Sequence, residues 1–150
     1  MFSFMTNEIP TFMRTELEKL FTKIGPLMKK NTKYMMFATP LILISVFNLV
    51  YFLFFEGLSN EIMTVTLIYA LLAAIGFALY KESKRIKKQI KKLELEHIVK
   101  RIEKSDVMNE YKKKDYISLI MNQPRLGLQT FMNFLTEEEQ RKQMSHFRSE

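Results

Sequence analysis

The amino-acid sequence predicts an all-α protein organised around a two-helix transmembrane hairpin, with an N-terminal amphipathic helix and a C-terminal cytoplasmic helical extension. Residues 34–55 and 62–80 are apolar runs that contain no Asp, Glu, Lys, Arg or His. A bilayer core of about 30 Å needs roughly 20 apolar residues in helical conformation. Each run is therefore long enough to span it, and the connecting loop, residues 56–61, is too short to hold a domain.

Three segments follow from this pattern. Residues 1–33 form a cytoplasmic or interfacial amphipathic segment, residues 34–80 form the hairpin, and residues 81–150 form a cytoplasmic helical region. The first residues lack the basic start, apolar middle and small-residue cleavage site of a secretory signal, so we expect the first span to be retained.

The net charge of +7 lies mainly on the outer flanks of the two runs, and the loop between them has no basic residue. Lysine and arginine near a span stay preferentially on the cytoplasmic side. We therefore expect a multi-pass protein of the cell membrane with both termini cytoplasmic. The basic residues expected to set this orientation and to contact anionic lipid headgroups are Lys29, Lys30, Lys33, Lys81, Lys84, Arg85, Lys87, Lys88, Lys91 and Lys92.

Nucleic acid and an acidic protein are the two other candidate partners of the basic run at residues 81–92. Nucleic acid is not expected, because no recognised reader motif accompanies the charges. An acidic protein partner in the cytoplasm stays open.

Small and polar residues predict how the two spans meet, because helices in lipid associate through close packing of such residues. The expected contact residues are Ala38, Ser45 and Asn48 in the first span and Thr66, Ala70, Ala74 and Ala78 in the second. We expect these faces to oppose each other within the hairpin, with Asn48 donating across the pair. A seam between two copies of the chain is the alternative.

Pro40 makes the start of the first span ambiguous. A continuous helix from residue 34 would bend near Pro40, because proline removes a backbone donor. We favour this arrangement over one in which Thr39 caps a helix that begins at Pro40.

The N-terminal segment carries Met13, Leu17, Leu20, Phe21 and Ile24 at helical spacing. The Gly-Pro pair at residues 25–26 is expected to end this helix. Its apolar face either lies in the membrane interface or packs on the cytoplasmic helices, and the sequence leaves both possibilities open.

No Gly or Pro interrupts residues 81–104, so the second span is expected to continue into a long helix with an apolar stripe. Ser105 is the expected N-cap of a second helix that ends near Met121. Thr136 and Glu139 have capping-box spacing and predict a last helix over residues 137–146. The apolar residues expected to bury against the long helix are Leu128, Phe131, Met132, Phe134 and Leu135. Tyr116 is expected to pack in the core with Phe131 and Phe134, and a partner-binding groove formed by these residues is the alternative.

No arrangement of residues predicts catalysis. The chain has no cysteine, its two histidines, His97 and His146, are far apart and expected to be solvated, and no nucleotide, hydrolase, kinase or metal motif occurs. The consecutive Glu137, Glu138 and Glu139 are explained by a helix first turn. We expect no enzyme activity, no cofactor and no metal site.

The paired spans with Lys81-Glu82-Ser83-Lys84-Arg85 directly behind them resemble the small uncharacterised two-span membrane proteins of low-GC Gram-positive bacteria. The resemblance implies location and organisation only. The leading functional hypothesis is a non-enzymatic membrane-anchored scaffold or regulator that acts through its cytoplasmic helices. The alternatives are an oligomeric transport or channel subunit, in which Asn48, Thr64 and Thr66 line a path, and a membrane-remodelling protein.

Overall fold

The structure is a computed structural model that describes residues 10–56 and 60–147, and every regular element within these ranges is helical. The long helices are α1 (Thr11–Tyr51) and α2 (Asn60–Glu103), and the shorter ones are α3 (Glu110–Asn122) and α4 (Gly127–Phe147). A π-helical turn, Phe52–Glu56, follows α1, and a 3-10 turn, Pro124–Leu126, precedes α4. The all-α prediction is confirmed. Residues 57–59 of the predicted loop and residues 1–9, where the features of a secretory signal were sought, lie outside the described residues.

The chain folds as two compact units. The core unit comprises Met1–Ile24 and Lys91–Glu150, and the paired-helix unit comprises Gly25–Ile90. The segment boundaries predicted after residues 33 and 80 follow composition, whereas the compact units divide after Ile24 and after Ile90. The N-terminal helical segment therefore shares a unit with the C-terminal region.

Helix α1 runs through both of its prolines. The expected end at Gly25-Pro26 is wrong, because Pro26 lies inside the helix. Each internal proline lacks one backbone donor, and this local loss does not end a helix whose other bonds are made. The same element contains Pro40, as expected for a continuous helix. The hydroxyl of Thr39 donates to the Met35 carbonyl at 2.9 Å instead of capping a new helix.

Helix α3 begins four residues later than expected. Its N-cap is Asn109, whose side chain accepts from the backbone N–H of Lys112 at 2.9 Å. The predicted cap, Ser105, donates its hydroxyl to Glu138 instead. The end of α3 at Asn122 matches the stop signal read from Asn122-Gln123-Pro124.

Helix α4 begins at Gly127, which corrects the helix predicted to start after Thr136. The Thr136 hydroxyl donates backwards to the Met132 carbonyl at 3.0 Å, as it does inside a helix, so it caps nothing. The earlier start places Phe131, Phe134 and Leu135 on one helical face. That burial outweighs a local capping signal, which is typically worth about 1 kcal/mol.

The hydrophobic core of the core unit joins all four of its chain segments. Its fully or nearly fully buried members are Met13, Ile98, Ile102, Met108, Ile120, Phe131, Phe134 and Leu135. Tyr116 packs against this cluster, and its ring meets that of Phe134 edge to face at 5.4 Å. The predicted packing of the Phe131 region on the long helix is confirmed. Leu93, expected in the buried stripe of α2, lies partly exposed.

The N-terminal apolar face is also buried. Met13, Leu17, Leu20 and Ile24 are buried, and Met13 belongs to the same core cluster as Ile98 and Phe131. Of the two possibilities left open by the sequence, packing on the C-terminal helices is the one observed. Phe21 lies partly exposed at the edge of this face.

In the paired-helix unit, the two long helices are in close contact at Gly76. A Cβ added there would lie 2.7 Å from Ile42 Cγ1 and 3.3 Å from the Ile42 backbone nitrogen. Ala38, Ser45 and Ala73 of the same unit are also buried. Farther along, the Ser83 hydroxyl donates to Asn31 Oδ1 at 2.7 Å and links the two helices directly.

The predicted contact faces meet only in part. Ala38 and Ser45 are buried, but Ala70, Ala74 and Ala78 point outward, and Thr66 is half-buried. The register is set by Ala73 and Gly76, because glycine permits the closest approach of two backbones. Asn48 does not donate across the pair; its amide donates to the Ile44 carbonyl of its own helix at 2.8 Å.

Candidate functional site

A buried carboxylate anchors the polar side of the core unit. Glu138 of α4 accepts two hydrogen bonds from Arg101 of α2, with Nη2 at 2.7 Å from Oε2 and Nη1 at 3.3 Å from Oε1. Ser105 donates to the same carboxylate. Arg101 Nε lies 3.3 Å from Glu16 Oε2 of α1. One guanidinium thus joins α1, α2 and α4 in the fork geometry that favours arginine over lysine.

The charges of this cluster stabilise one another. Burial alone would lower the pKa of Arg101, but its hydrogen bonds and the charges of Glu138 and Glu16 outweigh burial and raise it. Burial alone would raise the pKa of Glu138, but the hydrogen bonds from Arg101 and Ser105 lower it below its usual range. Both groups are therefore ionised at neutral pH.

His97 lies beside this cluster and is half-buried, which corrects the expectation of a solvated histidine. Lys23 Nζ lies 3.1 Å from its Nδ1. Burial and the neighbouring charge of Lys23 lower the pKa of His97, so the ring is neutral at pH 7. An ammonium can only donate, so Nδ1 accepts and the ring proton is on Nε2. Nε2 is buried and has no hydrogen-bond partner among the described residues.

These groups border a cleft of about 450 Å³ that lies wholly within the core unit. Six cationic side chains and three carboxylates contribute to its wall. The complete lining is Glu16, Lys19, Lys23, His97, Lys100, Arg101, Lys104, Ser105, Asp106, Val107, Glu138 and Lys142. The cleft is therefore a polar site with an excess of positive charge.

A second polar network joins α3 to α4. Glu137 accepts from the Tyr116 hydroxyl at 2.8 Å, from Arg141 at 3.1 Å, and from Lys112. Burial and the hydrogen bond to Glu137 raise the pKa of Tyr116 to about 12. The hydrogen bond from Lys112 is the main cause of the lowered pKa of Glu137. Glu137 and Glu138 therefore stabilise packing in the middle of α4, and the first-turn explanation for them is wrong.

The predicted lipid-contact residues divide between the two units. Those at residues 29–33 and 81–88 are exposed in the paired-helix unit. Lys30 Nζ lies 5.8 Å from the ring centroid of Tyr34, within cation–π range. Lys91 and Lys92 belong to the core unit, where they pair with Glu94 at 2.7 Å and Glu96 at 3.9 Å. The role in lipid contact stays a prediction for the whole set.

Sequence reasoning missed Arg101, Ser105 and Glu16 as members of a site. Each looks like an ordinary surface residue, because local spacing does not reveal ion pairs between distant helices. Among the described ranges, no group of three or more His, Cys, Asp or Glu side chains could hold a metal ion.

Comparison with known proteins places the chain in a family. Residues 5–143 match the model of DUF5392, described as a family of unknown function. The chain belongs to the DUF5392 family. It is also 38% identical over 141 residues to the uncharacterised protein YwnF of Bacillus subtilis (strain 168), covering 94% of this chain and 97% of that protein. No solved structure matches the chain. The expected membership of an uncharacterised family is confirmed.

Proposed function

We propose that this DUF5392 protein is a two-span membrane protein with both termini in the cytoplasm. It acts as a non-enzymatic scaffold or regulator through its core unit. The observation that carries the membrane placement is the outward face of the two long helices. Both α1 and α2 contain a stretch long and apolar enough to cross a bilayer, and only 11% of each stretch is buried inside the protein.

This low burial distinguishes the two helices from the core helix of a soluble protein, which would be mostly buried. Large apolar side chains of the paired-helix unit point outward, with Phe47 75% and Phe54 79% exposed. Monomeric soluble proteins rarely expose contiguous apolar patches larger than a few hundred Å². Lipid is the solvent in which such a surface is stable, because acyl chains are as apolar as these side chains.

Charge supports the proposed orientation. Lys29, Lys30 and Lys33 precede the first apolar run, and a basic run follows the second, whereas the six residues between the runs include no Lys or Arg. This asymmetry follows the positive-inside rule for short loops. On this ground we propose that the core unit lies on the cytoplasmic side.

The scaffold role rests on the construction of the core unit. Its helices are held by a common apolar core, by the Arg101 cluster and by the Glu137 network, all outside the apolar runs. The ionised carboxylates in these networks are neutralised by cations and suit a structural role. A helical unit with its own packed core, in a chain that is anchored by two spans, is suited to binding another protein at the membrane.

Cysteine labelling in intact cells tests the topology directly, because the chain has no cysteine of its own. We expect Ser59→Cys to react with a membrane-impermeant maleimide in intact cells. Ser118→Cys, on the exposed side of α3, should react only after the membrane is permeabilised. Labelling of Ser118→Cys before permeabilisation, or recovery of the protein as a soluble species without detergent, would refute the proposed placement.

A small oligomeric transport or channel subunit is the second candidate. The outward stripe of Ala70, Ala74 and Ala78 favours it, because small residues at this spacing allow spans of two copies to pack closely. Site-specific photo-crosslinking in cells separates the candidates. Crosslinks from Tyr111, on the core unit, to one other protein support the scaffold, whereas self-crosslinks from Ala74 together with ion flux in reconstituted vesicles support the channel.

A further inference from the structure

The cleft of the core unit has unbalanced positive charge after its ion pairs are assigned. Arg101 holds Glu138 and Glu16, which also lie within 4.0 Å of Lys142 and Lys19. The remaining cations of the wall are Lys23, Lys100 and Lys104, and no carboxylate pairs with them among the described residues. Asp106 is the one lining carboxylate outside these pairs. Three ammonium groups therefore face a cleft with one uncommitted negative charge.

His97 holds one of these lysines at the cleft wall. Its Nδ1 accepts from Lys23, and its buried Nε2–H has no partner within the described part of the chain. The groups that surround this ring from the packed elements are Glu16, Lys19 and Lys23 of α1 and Arg101 of α2. Nε2 is closed to solvent, so an anion in the cleft would contact Lys23 and not this nitrogen. An anion bound among the lysines would relieve their mutual repulsion.

We propose that this cleft binds a phosphate group, held by Lys23, Lys100 and Lys104, with the His97 ring positioning Lys23 through Nδ1. Phosphate carries more charge than a carboxylate and accepts several hydrogen bonds at once, and lysine binds it as a point charge. The cleft volume of about 450 Å³ lies in the range of small-molecule sites. The phosphate belongs either to a soluble phosphorylated molecule or to a lipid headgroup.

The proposal does not depend on the membrane placement, because every lining residue lies in the core unit. If the proposed function also holds, the ligand is on the cytoplasmic side and gives the scaffold a signal to which it can respond. The two proposals fail separately, since topology labelling reads the spans and phosphate binding reads the cleft.

Titration of the full-length protein in nonionic detergent tests the cleft. Inorganic phosphate and pyrophosphate replace sodium chloride at constant ionic strength, and the imidazole NMR signals of His97 report the contact. His97→Gln assigns these signals against those of His146. We expect saturable shifts at His97. A Lys100→Gln/Lys104→Gln variant should weaken binding by about tenfold or more, which corresponds to loss of about 1.4 kcal/mol.

A matched control removes two lysines of the same unit that do not line the cleft, in Lys92→Gln/Lys114→Gln. Lys100 and Lys104 are exposed and unpaired, so their replacement should leave thermal unfolding unchanged, and Lys23→Gln gives an independent third variant. Equal weakening by the control pair, or shifts that grow with phosphate without saturating, would show only nonspecific attraction and would overturn the proposal.

A second arm identifies the source of the phosphate. The protein is placed in nanodiscs of phosphatidylcholine alone or with added phosphatidylglycerol. A change at His97 that requires phosphatidylglycerol and is lost in Lys100→Gln/Lys104→Gln identifies a lipid headgroup. A response to free phosphate or pyrophosphate in both types of nanodisc identifies a soluble ligand. No cleft-dependent response in either arm refutes the site.

Discussion

The two units of the chain use apolar residues in opposite ways. In the core unit, Phe131 and Phe134 are completely buried and pack on Ile98 and Ile102. The paired-helix unit also contains phenylalanines, but its Phe47 and Phe54 are largely exposed. Apart from Ile86, the buried positions described in that unit are small or polar: Ala38, Ser45, Ala73, Gly76 and Ser83.

Under the proposed membrane placement, this difference reflects two different solvents. A unit in water is stabilised by removing large apolar side chains from it. In lipid that driving force between helices disappears, and close contact of small residues with a few hydrogen bonds takes its place. The close approach at Gly76 fits the second case. The same residue type, phenylalanine, therefore carries stability in one unit and solvent contact in the other.

Replacing phenylalanine should have the most different effects in the two units. Phe134→Ala should destabilise the core unit by about 3–5 kcal/mol, because it leaves a cavity in a fully packed cluster. Phe47→Ala should change the stability of the core unit by less than about 0.5 kcal/mol. Hydrogen exchange of α4 amides in detergent-solubilised protein measures both. Equal protection in the two variants would contradict the assignment of different solvents.

Polar contacts sharpen the comparison in the core unit. Glu138→Gln should cost about 2 kcal/mol, below the 3–5 kcal/mol for fully buried pairs, since Arg101 keeps Glu16 and is partly exposed. Its neighbour offers a matched control, because Glu139 is outside the ion pairs described. Chemical unfolding followed by circular dichroism should show the loss for Glu138→Gln and little change for Glu139→Gln.

A larger side chain where the two long helices meet tests the packing of the paired-helix unit. Gly76→Leu should separate the two helices, at a cost of about 1–2 kcal/mol for overpacking, because Ile42 occupies the space. Ala74→Leu adds the same bulk to an outward face and should leave the pair intact. Disulfide formation between Asn31→Cys and Ser83→Cys reports the distance. A lower yield for Ala74→Leu than for Gly76→Leu would place the seam on the predicted alanine face.

The smallest expected effect is a pH dependence confined to the core unit. Because the pKa of His97 is lowered on folding, the unfolded chain takes up a proton first as the pH falls below its ordinary value of 6.5. Stability should therefore be complete above pH 6.5 and decline below it until the folded-state pKa is passed. Thermal melts of His97→Gln should lose this slope above the range in which carboxylates titrate, and His146→Gln should keep it.

The sequence predicted the helices well where residue composition over a long stretch of chain decided them. The continuity of α2 through residues 81–103 follows from strong helix formers without Gly or Pro, and the stop after Asn122 follows from Pro124. Local capping signals predicted less well. Ser105 and Thr136 have suitable types and spacing for caps, but tertiary contacts engage or override both.

The candidate site was not predictable from spacing. Glu16, Arg101 and Glu138 are separated by dozens of residues, and each alone is a typical exposed residue of an amphipathic helix. Their proximity depends on how α1, α2 and α4 pack around the shared core. The same packing buries His97 Nε2, which has no hydrogen-bond acceptor in the part of the chain that the structure describes.

Composition along the chain was sufficient to establish the all-helical class and two apolar helices, because these depend on backbone propensity and on runs of residues next to each other. The partner of the N-terminal helix, the register at Gly76 and the Arg101 cluster were decided by tertiary contacts. Such contacts join residues far apart in the chain, and several pairings satisfy the same local pattern until the full core selects one by packing.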